Sequence, residues 1–521
     1  LRNWLYQIIQ ELAAAGLQEV CVCPGKRNGP LLLSLDAYPQ IRKFSWYEER
    51  SAAFYALGRV RATGRPVAVV TTSGTAVGEC LPAAMEAYYT GDPLILLTAD
   101  RPKRFRGSGA PQAAEQAGIF GPYAIYEQDL EEGESCNLSD WSMRGPAHLN
   151  ICLEEMQQNS TPLMPPLCQK EDITPKNLDK GDRRLIDQFL DRARRLFVVV
   201  GTLLPKDRPH VAYALQQLKA PVYLESTSRL REDPTLEPYC IRDAANLWTA
   251  SKELGYPIDA VLRIGGVPTF RPWRDLENME GKVDVLSVSE APFSGLSWSS
   301  HVQMPLKALN LSSAHSYSFQ EWKNWDQELS NQIKALLGKY PASEPGLIHS
   351  LSKAIARDGR VYLGNSLPIR EWDLAAHKEA SSDIWASRGL NGIDGQLSTF
   401  LGLCHPDKEN WGIFGDFTTL YDLAAPWILS QMEQTRVRLV VVNNGGGQIF
   451  SRLGLGDRFT NPHTLEFEGF AKLWNLNYSQ NLESTANHQL IELVPDPKAT
   501  KNFWSQASIY RNRFKRVGLM R

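Results

Sequence analysis

Short apolar runs alternate along this chain with segments of helical spacing. Glu19–Cys23 is such a run and ends in Pro24-Gly25. Ile41–Tyr47, Pro66–Thr71 and Leu94–Thr98 follow. Between them Ala52, Ala53, Ala56, Leu57 and Val60 fall on one helical face, and residues 78–89 continue the alternation as a second helix. Strands that are apolar throughout and separated by helices predict a parallel sheet covered on both faces. A second α/β run has strands predicted at Leu196–Val200, Val222–Glu225, Ala260–Ile264 and Val283–Val288. A third has them at Val361–Gly364, Ile384–Ala386, Trp411–Phe414 and Val437–Val442. Residues 161–183, rich in Pro, Lys and Asp, separate the first two runs. A polar stretch near 308–345, read as a helix plus linker, separates the last two. The prediction is an α/β protein of three doubly wound parallel-sheet domains. They comprise 1–165, 184–340 and 345–521, with no short-period repeat and no low-complexity tract.

Composition narrows the class. The 521 residues exceed one core, and 43% hydrophobic with 22% charged residues is the balance of a folded soluble protein. A net charge of −2 gives no bulk electrostatic reason to bind nucleic acid or a membrane surface. No apolar run approaches the ~18 residues of a membrane span, and no secretory signal is visible. The eight cysteines (Cys21, Cys23, Cys80, Cys136, Cys152, Cys168, Cys240 and Cys404) include no CxxC pair. They read as reduced thiols, and the expected location is cytoplasmic.

The most informative stretch is Gly415-Asp416, then a helix with Leu420, Leu423, Ala424, Trp427 and Ile428 in register, then a strand ending at Asn443-Asn444-Gly445-Gly446-Gly447. Parallel strands end at one edge, where open α/β sheets bind ligands. Asp416 and the Asn pair, 27 and 28 residues later, can therefore meet across one crevice. A carboxylate, an amide oxygen and a backbone carbonyl are hard ligands that suit Mg²⁺ or Mn²⁺ beside phosphate oxygens. A helix N-terminus there favours an anion. A Gly-Asp alone is more often only a helix cap, and Asn-Gly only a turn. The pairing at this distance favours the ligand reading. Glu48-Glu49-Arg50, where a strand gives way to a helix, is a second active-site address, against the plain reading of solvated acids at a helix start.

The Gly-Asp and Asn-Asn arrangement resembles the diphosphate-binding signature of thiamine-diphosphate enzymes of the decarboxylase type. The resemblance implies Asp416, Asn444 and the Gly446 carbonyl as metal ligands, with Gly415 beside them. Phe417 stands where that family usually has Gly, and the spacing is one residue longer than usual, so Asn443 rivals Asn444. It also implies Glu49 as the catalytic carboxylate that shares a proton with the cofactor's aminopyrimidine N1′. Thr71-Thr72-Ser73-Gly74-Thr75-Ala76 looks like a pyrimidine-binding segment, with Ser73 and Gly74 at the cofactor. That family sets the two halves of each site in different subunits, which implies a homodimer or homotetramer.

Six stretches in order narrow the resemblance to the 2-succinyl-5-enolpyruvyl-6-hydroxy-3-cyclohexene-1-carboxylate synthase family of menaquinone and phylloquinone synthesis. They are Thr72–Val77, Leu97–Pro102, Asn365–Arg370, Ser387–Gly395, Gly415–Leu423 and Asn443–Phe450. Such an enzyme decarboxylates 2-oxoglutarate and adds the four-carbon unit to isochorismate. Multiply carboxylated substrates call for arginine, which grips a carboxylate bidentately. The resemblance assigns Ser366 and Arg370 to the distal carboxylate of the succinyl unit, with Arg388 a second candidate. It assigns Arg27, Arg101 and Gln112 to isochorismate, Ile449 and Phe450 to the pocket wall, and Ile393 to a wedge beneath the cofactor. In the middle domain Arg271 stands in for a basic residue expected after Pro268-Thr269. The loop Pro24-Gly-Lys-Arg-Asn28 departs from the usual Gly-Ser-Arg-Ser. His148 and His463 read as structural. Two alternatives stay open: another thiamine-diphosphate carboligase or decarboxylase, and a catalytically dead cofactor-binding scaffold.

Overall fold

A computed structural model describes residues 1–154, 166, 183–243, 246–381, 383–432, 434–453, 456–482 and 486–512. The linker predicted at 161–183 lies almost wholly outside them. The apolar runs form three sheets, and every ladder in them is parallel. The first sheet contains β1 (Glu19–Val22), β2 (Arg42–Ser45), β3 (Val67–Thr71), β4 (Leu94–Asp100), β5 (Tyr126–Leu130) and β6 (Ala147–Cys152), ordered β2-β1-β3-β4-β6-β5. The second contains β7 (Leu196–Val200), β8 (Val222–Leu224), β9 (Ala260–Ile264), β10 (Asp284–Ser289) and β11 (Ser300–Gln303), ordered β11-β10-β9-β7-β8. The third contains β12 (Arg360–Leu363), β13 (Asp383–Trp385), β14 (Glu409–Gly415), β15 (Arg436–Val442), β16 (Asn477–Ser479) and β17 (His488–Leu493), ordered β13-β12-β14-β15-β17-β16. The α/β, all-parallel prediction holds.

The chain divides into two compact units. One comprises Leu1–Asn177, Gly389–Asp407 and Thr418–Thr435 and carries the first sheet. The other comprises Leu178–Arg388, Lys408–Phe417 and Arg436–Arg521 and carries the second and third. In the first unit the helix Glu49–Thr63 is covered by the helix Gln396–Leu403, and the two approach at glycines. A Cβ at Gly58 would lie 2.1 Å from the Thr399 carbonyl oxygen, and one at Gly402 would lie 2.2 Å from that of Tyr55.

Two predicted helices divide. Residues 78–89 form Thr75–Gly78 and Leu81–Thr90, the latter with Pro82 in its first turn. The helix after Gly415 is only Asp416–Tyr421, followed by a 3₁₀ segment Ala425–Gln431 with Pro426 at its start. Five strands were not predicted: β5, β6, β11, β16 and β17. In β6 the buried His148 and Asn150 break the apolar run.

Both outer sheets reverse their strand order at one point, between β1 and β3 in the first and between β12 and β14 in the third. The crevice outside the carboxyl ends at such a reversal is where open α/β sheets hold ligands. Pro24–Asn28 and Thr72–Gly74 flank the first, and Gly364–Ser366 and Asp416 flank the second.

Candidate active site

In the third sheet, β14 delivers Asp416 to the carboxyl edge and β15 delivers Asn443 and Asn444 beside it. Asp416 is buried. Its Oδ2 accepts from the Gly446 N–H at 2.8 Å and its Oδ1 from the Phe417 N–H at 2.7 Å. Burial pushes the Asp416 carboxyl above its ordinary value, against those N–H groups, which favour the ionised form. Gly446 lies at φ 134°, and a Cβ there would sit 2.5 Å from the Thr460 carbonyl oxygen, so only glycine fits. Its own carbonyl accepts from the Gln448 N–H at 2.8 Å and keeps a second lone pair.

The two asparagines differ. Asn443 donates to Glu492 Oε1 at 2.7 Å and to the Leu465 carbonyl at 2.8 Å. Asn444 donates to Glu344 Oε1 at 2.9 Å, and its buried Oδ1 has no hydrogen-bond partner among the described residues. A buried amide oxygen without a donor is costly unless a ligand completes it. The donor set Asp416, Asn444 Oδ1 and the Gly446 carbonyl thus fits a hard divalent cation. Among the described residues no cluster of three His, Cys, Asp or Glu side chains could hold a metal instead. His463, read above as structural, lies at this site: its Nε2 is 3.2 Å from Asp416 Oδ2 and its ring stands 5.4 Å from that of Phe417. Its Nδ1 accepts from the Leu465 N–H, so Nε2 carries the proton of the neutral ring.

In the first sheet, β2 leads directly into the helix Glu49–Thr63. Glu48 is its N-cap: Oε1 accepts from Arg50 N–H and Oε2 from Ser51 N–H, both at 2.9 Å. Capping therefore occupies Glu48 and leaves Glu49 as the half-buried carboxyl. Burial pushes the Glu49 carboxyl up, and Glu48 and Glu79 push it the same way. A raised carboxyl favours its protonated form, which is the form that shares a proton with a ring nitrogen. Ser73 and Gly74 are buried. Gly74, at φ 89°, donates from its N–H to Gln116 Oε1 at 2.8 Å, and the Gln116 amide donates to Asn150 Oδ1 at 2.9 Å. His148 has a structural place in the same network, 2.9 Å from Thr98 Oγ1 and 3.2 Å from Glu127 Oε1.

Residues 3–119 match the model of the thiamine pyrophosphate enzyme N-terminal TPP-binding domain. The chain is 43% identical over 517 residues to 2-succinyl-5-enolpyruvyl-6-hydroxy-3-cyclohexene-1-carboxylate synthase of Bdellovibrio bacteriovorus, covering 96% of this chain and 97% of that one. It is 37% identical over 530 residues to the enzyme of the same name from Akkermansia muciniphila, with 96% and 97% covered. The likeness to that of Chloroflexus aurantiacus is 30% over 536 residues, with 94% and 91% covered. The chain belongs to this synthase family.

The remaining residues expected of a synthase occupy several elements. Arg27 donates to the Leu153 carbonyl at 2.9 Å. Asn28 is buried and bridges Gly25 N–H to the Cys23 carbonyl, both at 2.8 Å. The departure at Asn28 thus braces the loop. Arg101 Nε donates to the Pro111 carbonyl at 2.9 Å, and Gln112, exposed, holds a left-handed φ of 55°. Ser366, at φ 73°, heads the helix Leu367–Ala375, and Arg370 Nη1 donates to its carbonyl. Non-glycine residues in this region of backbone space store strain and gather at functional sites. Arg388 is buried, and its Nη1 donates to Asn365 Oδ1 at 2.5 Å. Ile393 is half-buried, in the loop before the helix Gln396–Leu403. Ile449 is half-buried and Phe450 is 42% exposed on the segment Gln448–Leu453. Arg271 is exposed and paired with Asp275 at 2.6 Å; of that helix's two arginines, Arg274 is the one within electrostatic reach of Arg370. Sequence reasoning missed Glu344, Glu492 and Gln116, because each reaches its site from a distant element and lies in no motif.

Proposed function

We propose that the chain catalyses the thiamine-diphosphate-dependent decarboxylation of 2-oxoglutarate and adds the four-carbon unit to isochorismate. The product is 2-succinyl-5-enolpyruvyl-6-hydroxy-3-cyclohexene-1-carboxylate, for menaquinone or phylloquinone synthesis. The observation that carries this reading is the likeness to the named synthases over nearly the whole chain. Asn444 Oδ1, buried and without a donor among the described residues, supports the cofactor's metal from the structure itself.

Bound thiamine diphosphate supplies a carbon nucleophile for the 2-oxo carbonyl and accepts the electrons released with CO₂. Asp416, Asn444 and the Gly446 carbonyl hold Mg²⁺ or Mn²⁺, and Gly415, Ser73, Gly74 and Ile393 line the cofactor. Glu49 holds and exchanges the proton at the pyrimidine N1′. Ser366, Arg370 and Arg388 bind the distal carboxylate of 2-oxoglutarate. Arg27, Arg101 and Gln112 orient isochorismate, while Ile449 and Phe450 exclude water. Arg271, exposed and paired with Asp275, is the middle domain's basic residue for substrate. By family resemblance the enzyme is a homodimer or homotetramer whose sites draw on two subunits; cysteine usage supports a cytoplasmic location, and the strand pattern supports domains 1–165, 184–340 and 345–521. No helix among the described residues is long and apolar enough to cross a membrane.

A coupled assay with thiamine diphosphate and Mg²⁺ tests the reading. Product is expected from 2-oxoglutarate with isochorismate. Turnover of pyruvate alone, with none of the expected product, would favour a simple decarboxylase. No CO₂ from any 2-oxo acid would leave only the scaffold.

A further inference from the structure

The Asn444 amide can serve a cation in only one of its two orientations. Half a rotation about its last torsion exchanges oxygen and nitrogen with almost no change in shape, yet only the oxygen has lone pairs for a metal. Packing therefore selects poorly between the two, and the selection falls to the hydrogen bond on the far side of the amide. Glu344, 100 positions earlier in the chain, makes that bond: its Oε1 accepts from Asn444 Nδ2 at 2.9 Å. Glu344 is buried. An ionised carboxylate only accepts, so it holds the amide nitrogen and never the oxygen. Asn444 Oδ1 is then the atom left over, buried and without a hydrogen-bond partner among the described residues.

Glu344 can enforce this because its own backbone is fixed. It opens the helix Glu344–Ala354, whose N-cap Ser343 accepts from the Gly346 N–H at 3.1 Å and donates to the Tyr340 carbonyl at 2.6 Å. The Glu344 N–H donates to Thr500 Oγ1 at 3.0 Å, on the helix Pro497–Arg511. Glu344, Asp416, Asn444 and Thr500 belong to one compact unit. Asn443 is the contrasting case. Its amide hydrogens go to Glu492 Oε1 and the Leu465 carbonyl, and its Oδ1 accepts from the Gly445 N–H at 3.4 Å. We propose that Glu344 is a positioning residue for the cofactor's metal: by holding Asn444 Nδ2 it makes Oδ1 the atom offered as ligand. Glu344 itself needs no contact with the metal.

The proposal rests on Asn444 as a metal ligand, and its test separates the two. Mg²⁺ is titrated calorimetrically into the full chain at a fixed, saturating concentration of thiamine diphosphate. Glu344→Gln keeps the size of the side chain but can turn either an oxygen or a nitrogen to Asn444, so the orientation is no longer enforced. The Mg²⁺ Kd should rise by about 10–100-fold, the scale of lost support behind a metal ligand. In an Asn444→Ala background the same change should shift the Kd by less than about twofold, because the amide through which Glu344 acts is gone. Asn444→Asp offers an oxygen whichever way it turns. Glu344→Gln with Asn444→Asp should therefore bind Mg²⁺ more tightly than Glu344→Gln alone. An equal loss in both backgrounds, or no gain from Asn444→Asp, would overturn the proposal. Glu344→Asp withdraws the carboxylate by one methylene and should weaken Mg²⁺ in the same direction, which keeps the test open if Glu344→Gln does not fold. An unchanged Kd in either variant would also overturn it. Normal Mg²⁺ binding by Asn444→Ala would instead sink the underlying assignment of the ligand.

Discussion

Asn443 and Asn444 are adjacent and chemically identical, yet their surroundings send them to different work. Asn443 is bound to Glu492 and Leu465, whereas Asn444 is turned by Glu344 so that its oxygen is left over. Asn444→Ala is therefore expected to weaken Mg²⁺-dependent cofactor binding, with partial rescue at high Mg²⁺, as is Asp416→Ala. Equilibrium titration reads this, and normal binding by Asn444→Ala with loss in Asn443→Ala would move the ligand back by one. Glu48 and Glu49 are separated in the same way, by the cap that Glu48 forms. Glu49→Gln should slow hydrogen–deuterium exchange at C2 of bound thiamine diphosphate and lower kcat by about 10²–10⁴, with cofactor affinity far less affected. Near-normal exchange would point to Glu48. Arg370→Ala should raise the 2-oxoglutarate KM more than that for isochorismate. A lost charge-assisted contact costs roughly 1.5–3 kcal/mol, one to two decades in kcat/KM. Asp416 and the Asn pair were legible from the sequence because each directly follows a strand end. His463 was not, because its link to Asp416 spans 47 positions and no local pattern records it.

The elements were legible where burial is complete on both faces. Leu196–Val200 falls on β7 because nothing polar interrupts it, and Ala260–Ile264 on β9 because its one polar residue, Arg263, is buried among apolar neighbours. β5, with Glu127, Gln128 and Asp129, lies at the sheet's edge, where polar residues can be solvated or paired. The 28-residue interval to Asn444 hid a different limit: Pro426 opens a 3₁₀ segment, so the helix behind Asp416 is short. Its dipole adds less to anion binding than a full helix would, and the metal ligands carry more. The contact of Glu49–Thr63 with Gln396–Leu403 gives a test at this scale. Alanine in place of a helical glycine ordinarily gains up to about 1 kcal/mol. At Gly58 the new methyl would lie 2.1 Å from a backbone oxygen, which cannot move without its helix. Overpacking of this kind costs roughly 1–3 kcal/mol. Gly58→Ala should therefore lower the thermal midpoint, whereas Gly78→Ala, with nothing within 4 Å, should not. An unchanged or raised midpoint for Gly58→Ala would show that the two helices separate at little cost.

At the scale of the whole molecule, the family resemblance assigns the proton-exchanging carboxylate and the metal ligands of each site to different subunits. That assignment has a consequence that neither residue-level variant reveals by itself. Glu49→Gln and Asp416→Ala should each be strongly impaired for a different reason, one lacking the proton exchange and the other a metal ligand. If a site takes Glu49 from one subunit and Asp416 from its partner, a mixed dimer concentrates both defects in one site and leaves the other intact. Random reassortment of the two variants at equal amounts would place about half the chains' pairs in mixed dimers. About a quarter of all sites would then be active, well above either variant alone. If both groups of a site came from one chain, no mixed dimer would contain an intact site and activity would stay at the sum of the two backgrounds. The measurement is product formation after the purified variants are mixed, dissociated under mild denaturant and reassembled with thiamine diphosphate and Mg²⁺. Wild-type enzyme taken through the same cycle sets the recoverable maximum. Recovery must also require reassortment, so variants mixed without dissociation should gain activity only as fast as subunits exchange. Full recovery of the wild-type control with none in the mixture would refute the shared-site arrangement while leaving the roles of Glu49 and Asp416 standing.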